Sequence, residues 1–147
     1  MTSLTSKLPL VARLFLGLVF TVFGANGFLH FLPQPPMSGP PAEFIGALIA
    51  SGYLFTLVKA TEVIAGLLFL TGRYVPLALA IIAPVVVNIV LFHGVLVGAG
   101  MAIPLAVLAA ELFLAWAYRD AFRPMLAAKV TPHVSDAETV GTPAHAS

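Results

Sequence analysis

Four apolar runs, cut apart by proline, glycine and arginine, constrain what this chain can fold into more than any other feature. The first extends from about Pro9 to Leu32 and ends at Pro33-Gln34-Pro35-Pro36, and the second from about Leu54 to Leu70, stopping at Thr71-Gly72-Arg73. The third starts at Pro76 and reaches about Val97 before Gly98-Ala99-Gly100; the fourth covers Ala102 to Tyr118 before Arg119-Asp120. Each approaches the roughly 20 residues that cross a hydrocarbon core about 30 Å thick. Backbone polar groups in lipid must be satisfied internally, so a span is either a helix or part of a closed barrel, and these continuous runs lack a barrel's alternation. The expected fold is therefore an all-α membrane protein, with residues 1–119 forming a bundle of four transmembrane helices over about 9–32, 54–70, 76–97 and 102–118. Between the first two spans, the eleven residues from Ala42 to Gly52 are too few to cross. With Phe44, Ile45, Leu48 and Ile49 apolar, they read as an interfacial helix on the surface or at the bundle mouth. Residues 120–147 read as a short amphipathic exit followed by a mobile cytoplasmic tail.

Composition excludes the alternatives. The chain is 60% hydrophobic and 9% charged, against roughly 45–50% and about 25% in soluble domains. A net charge of +1 offers no basic face to a phosphate backbone, so no nucleic-acid partner is expected. The absence of cysteine excludes disulfides and thiolate metal sites, and the histidines at 30, 93, 133 and 145 have no paired spacing, so no metal site is expected either. Orientation follows from the basic residues. With four spans, Lys7, Arg13, Arg73, Arg119, Arg123 and Lys129 share one side, whereas Pro33 to Tyr53 and Gly98 to Met101 hold no lysine or arginine. Both termini are thus expected in the cytoplasm. A cleaved signal peptide is the weaker alternative for the first span, because its apolar run is too long.

Ionisable and amide groups inside spans cost free energy and usually face a bundle interior or a wet cavity. The candidates for a ligand pocket are Asn26 and His30 on the first span, Lys59 and Glu62 on the second, Asn88 and His93 on the third, and Glu111 on the fourth. Counting about 1.5 Å per residue puts Lys59 roughly 8 Å, Glu62 about 12 Å and Glu111 about 14 Å below the outer ends of their helices. If these faces converge, they build a polar pocket entered from the non-cytoplasmic side, with Ala42 to Gly52 as its lid. Asn88 and His93 stand about 140° apart around an ideal helix and need not share a face. A structural reading competes: Lys59 with Glu62, or Arg13 with Glu111, as ion pairs, the asparagines as interhelical clamps and Arg13 snorkelling to the headgroups. Gly17, Gly24 and Gly27 follow Arg13 on one face and permit close helix approach. Two acids set against Lys59 alone in the outer half call for a second cation or a protonated carboxyl.

Several segments resemble the DoxX family of small bacterial membrane proteins: Arg13-Leu14-Phe15-Leu16-Gly17-Leu18-Val19-Phe20, the run from Lys59 to Leu79, the run from Ala83 to His93, and Ala117-Tyr118-Arg119-Asp120. The resemblance implies a four-helix protein of the bacterial cytoplasmic (inner) membrane, from a family named for a subunit associated with quinone-linked sulfur oxidation. Its matching polar positions here are Arg13, Lys59, Glu62, Asn88 and His93. The leading functional expectation is an accessory subunit of a redox system, binding a quinone or similar amphipathic molecule and served by a redox partner protein, rather than a complete oxidoreductase. No resident cofactor is evident from the residues. The alternatives are a non-catalytic scaffold or assembly factor and a small transporter, and a homo-oligomer is compatible with all three.

Overall fold

The computed structural model describes residues 7–132. Within them the chain forms helices α1 (Leu8–Leu29), α2 (Pro40–Ala50), α3 (Leu54–Thr71), α4 (Val75–Leu91), α5 (Ala102–Ala117) and a last turn, α6 (Arg119–Phe122). A π-helical segment, Phe92–Val97, continues α4, and there is no strand among the described residues. Three helices are long and apolar enough to cross a membrane: α1, α3, and α4 together with its π segment. Helix α5 is apolar but shorter, at 16 residues. The tail expected over 120–147 is described as far as 132, and residues 133–147 lie outside the described residues.

The boundaries follow local chemistry. Pro9 occupies the first turn of α1, where a missing N–H is harmless. The helix stops at Leu29, three residues before the expected Leu32, because His30 turns into the left-handed region (φ 51°) and the Asn26 side chain captures the chain beyond it. Asn26 Oδ1 accepts a hydrogen bond from the Leu32 N–H at 2.7 Å. Helix α2 spans Pro40–Ala50 rather than 42–52. Gly39 (φ 65°) turns the chain, and Pro40 and Pro41 provide the first two helical positions. At its other end Ser51 Oγ donates to Leu48 O and accepts from the Leu54 N–H, leading directly into α3.

Helices α1 and α3 form the tightest pair in the bundle, and small residues are the reason. The sites where side chains would begin at Gly17 and Gly24 are filled by Leu70 and by Val63 with Glu62. From the other side, Gly66 of α3 receives the Thr21 backbone, whose nitrogen lies 2.5 Å from where a Cβ would stand. The core continues through Leu16, Phe20, Phe69, Leu79, Ile82, Val86 and Leu114, joining α1 and α3 to α4 and α5. Outward surfaces are also apolar: Leu10, Leu18, Leu57, Ile64, Leu77, Ile103 and Leu112 are all exposed. A chain apolar both inside and out matches a lipid solvent.

Candidate functional site

Helix α3 positions the first two site residues. Lys59 and Glu62 are one turn apart on the face toward α1, and the ammonium meets both carboxylate oxygens, at 2.8 Å and 3.1 Å. Glu62 is only 4% exposed, so an ammonium within hydrogen-bond reach offsets much of the cost of burying its carboxylate. The position of this pair depends on α1. The Cγ and Cδ of Lys59 lie 2.5 Å from where a side chain would begin at Gly27, so any larger residue there drives the lysine out of place. Gly27 is therefore a positioning residue, seen in the sequence as a packing position and not as part of a site. Lys59 Nζ also stands over the Phe55 ring, 5.8 Å from its centre, a favourable placement for a partly desolvated cation.

The π segment supplies the third polar group. Its wider winding is visible in the bond from the Gly98 N–H to His93 O at 2.8 Å, five residues apart. Such insertions frequently occur at functional sites because they re-aim side chains. His93 Nδ1 lies 2.9 Å from Ile89 O. A carbonyl can only accept, so Nδ1 carries the hydrogen, and in the neutral ring Nε2 keeps a free lone pair. Phe92, beside it, packs on Phe44 of α2 with ring centres 5.7 Å apart, which ties the interfacial helix to the segment that holds the histidine.

Lys59, Glu62 and His93 line one cavity of about 310 Å³, walled by Phe20 and Phe23 of α1, Ile89 of α4 and Val107 of α5. Its volume is at the lower end of the range for small-molecule sites, and its make-up, apolar walls with a few convergent polar groups, is typical of them. It lies at the end of the bundle where α1 finishes and α3 and α5 begin.

The other sequence candidates lie elsewhere. Asn26 is buried and engaged by the turn after α1, and His30 is an exposed cap. Asn88 is exposed on the outer face of α4, in a stripe with Leu77, Ile81, Pro84 and Leu91, and makes no side-chain hydrogen bond among the described residues. Glu111 is buried, but it lines a different cleft, between α4 and α5 toward the opposite end. Arg13 does not pair with it: no ion pair links them, and the guanidinium instead fills the space against Gly72, at the far end of α3. No group of three or more histidine, aspartate or glutamate side chains that would hold a metal occurs among the described residues.

The helices and their apolar outer surface define a multi-pass membrane protein with a charged pair among its spans. The chain belongs to the DoxX family, whose family model matches residues 8–94. The match runs from α1 to the middle of the π segment, taking in Lys59, Glu62, Asn88 and His93, while Glu111 and the Ala117-Tyr118-Arg119-Asp120 exit lie beyond it. No curated protein and no solved structure matches the chain.

Proposed function

We propose that this protein is an accessory membrane subunit of a redox system, and that the cavity at Lys59, Glu62 and His93 binds the headgroup of a quinone or a similar amphipathic molecule. The observation carrying this reading is one donor and one acceptor converging on a single apolar-walled cavity. The Lys59 ammonium has donors beyond those engaged by Glu62 and offers one to a carbonyl oxygen. Nε2 of neutral His93 accepts from the hydroxyl of the reduced form. The ion pair and the imidazole then hold and exchange protons at the two ring oxygens, the aromatic walls take the ring, and electrons come from a redox partner protein.

In this reading α5, extended by α6, acts as a fourth span. The cavity then faces the non-cytoplasmic side of the bacterial inner membrane, and the termini lie with Lys7, Arg73, Arg119 and Arg123 in the cytoplasm, an orientation supported by the distribution of basic residues. Titrating the purified protein with a short-chain ubiquinone analogue tests the reading. Lys59→Met and Glu62→Gln are each expected to weaken binding at least about tenfold; affinity equal to wild type in both would refute the assignment.

Asn88 favours a second reading, a scaffold that packs against another membrane helix. A primary amide facing lipid lacks partners there, and interhelical hydrogen bonds of this kind are worth about 0.6 kcal/mol on average. Under this reading Asn88→Leu lowers the yield of intramembrane cross-links to a neighbouring chain and leaves quinone affinity unchanged. Unaltered cross-linking would exclude it.

A further inference from the structure

The second cleft holds a carboxyl group with no ion-pair partner among the described residues. On α5, Leu108, Glu111, Leu112 and Ala115 follow one another at helical spacing. On α4, Leu79, Ala80, Ala83 and Val87 do the same, and the two faces enclose a groove of about 440 Å³. Small residues make the room: alanine at 80, 83 and 115 leaves a trough where larger side chains would close the helix pair. Ala80, Val87 and Leu112 are exposed, so the groove opens sideways to the lipid. Glu111 is 6% exposed and is the one acid lining it among the described residues.

No lysine or arginine among the described residues forms an ion pair with Glu111. Lys59 is bound to Glu62, Arg123 lies 3.4 Å from Asp120, and Arg13 lies against Gly72 at the end of α3, its buried Nε without a hydrogen-bond partner among the described residues. Arg119, at the inner end of the same groove, donates to Trp116 O at 3.0 Å and stacks over the Trp116 ring at 4.9 Å. Among the described residues neither of the two ion pairs involves Glu111, and it makes no side-chain hydrogen bond. Two acids against one lysine already called for another cation or a proton, and the structure shows which acid lacks its partner.

We propose that this groove is a second binding site, for a lipophilic monocation that reaches it from the bilayer: an apolar body occupies the alanine-lined trough, and its positive centre lies against the Glu111 carboxylate. In a low-dielectric setting a carboxylate attracts such a charge far more strongly than it would in water. Water-soluble cations are not retained, because nothing else in the trough replaces their hydration shell.

Tetraphenylphosphonium, a permanent cation with an apolar surface, is the probe. Equilibrium binding to the purified full-length protein at pH 8 is expected to be saturable, at least about tenfold weaker in Glu111→Gln, and resistant to competition by neutral tetraphenylmethane. Ala83→Phe fills the trough while keeping the Glu111 carboxyl group in the chain. It is expected to produce a similar loss, which keeps the test decisive if Glu111→Gln does not fold. Three results would each overturn the proposal: no saturable binding, equal affinity in wild type and both variants, or displacement of the probe by the ubiquinone analogue. The last would place the cation in the outer cavity instead.

Discussion

Gly66→Leu is expected to abolish the folded bundle. The Thr21 backbone nitrogen and hydroxyl both lie 2.5 Å from where the new Cβ would stand, and the Phe20 carbonyl carbon lies at 3.0 Å. A flexible side chain can swing away, but helix backbone cannot, so α1 and α3 must separate. That separation would open the contacts at Gly17, Gly24 and Gly27 together. Overpacking in a close-fitted core commonly costs about 1–3 kcal/mol, and a collision with backbone lies at or above the top of that range. Size-exclusion chromatography in mild detergent, with thermal melting, reads the outcome: aggregation or a melting temperature lowered by many degrees. A monodisperse protein melting as wild type would show that α1 and α3 are not in close contact at Gly66. Gly46, by contrast, has no atom of the described residues within 4 Å of its would-be Cβ, and Gly46→Ala, inside α2, should melt at or slightly above wild type in the same assay.

A comparably large effect concerns the ion pair, and it separates what Lys59 and Glu62 do for stability from what they do for binding. Lys59→Met strips the buried Glu62 carboxylate of its ammonium. Leaving a single buried charge uncompensated costs about 3–5 kcal/mol, whereas replacing both partners with apolar residues is often neutral or stabilising. The double variant Lys59→Met/Glu62→Leu is therefore expected to melt near wild type even though Lys59→Met alone melts far below it. If the cavity uses the pair to hold a headgroup, the stable double variant still fails to bind. Full quinone affinity in the double variant would reduce the pair to a structural role. A single variant as stable as wild type would mean that the carboxylate does not depend on Lys59.

Much of this arrangement was legible in the chain, for identifiable reasons. Glycine stops helices through backbone geometry alone, so the breaks at Gly72 and Gly98 could be read directly, whereas α1 ends at His30, before the Pro33 cluster at which the sequence placed its stop. The same holds for Lys59 and Glu62, because residues three apart face each other on any helix. What stayed hidden was direction around the helix axis. Spans that are apolar on every side carry little periodicity to show which face turns inward. Depth counting thus put Asn88 and Glu111 in the same slab as Lys59 without revealing that one faces lipid and the other a separate groove. Asn26 looked like an interhelical clamp because its bond to the Leu32 N–H exists only once the chain has turned at His30. The winding change at Phe92 was equally silent, since nothing in Phe92-His93-Gly94-Val95 forces a π turn.

Photolabelling reports directly whether a quinone headgroup occupies the cavity at Lys59, Glu62 and His93, as proposed. A ubiquinone analogue with a photoreactive azide on its ring, irradiated with the protein in lipid and traced by peptide mass, reports which helices surround the ring. The structure predicts adducts on the segments carrying Phe20 to Phe23, Lys59 to Glu62 and Ile89 to His93, suppressed by excess unlabelled quinone. Adducts confined to the α4–α5 groove around Ala83 and Glu111, or spread over the lipid-facing surface and insensitive to competition, would contradict it.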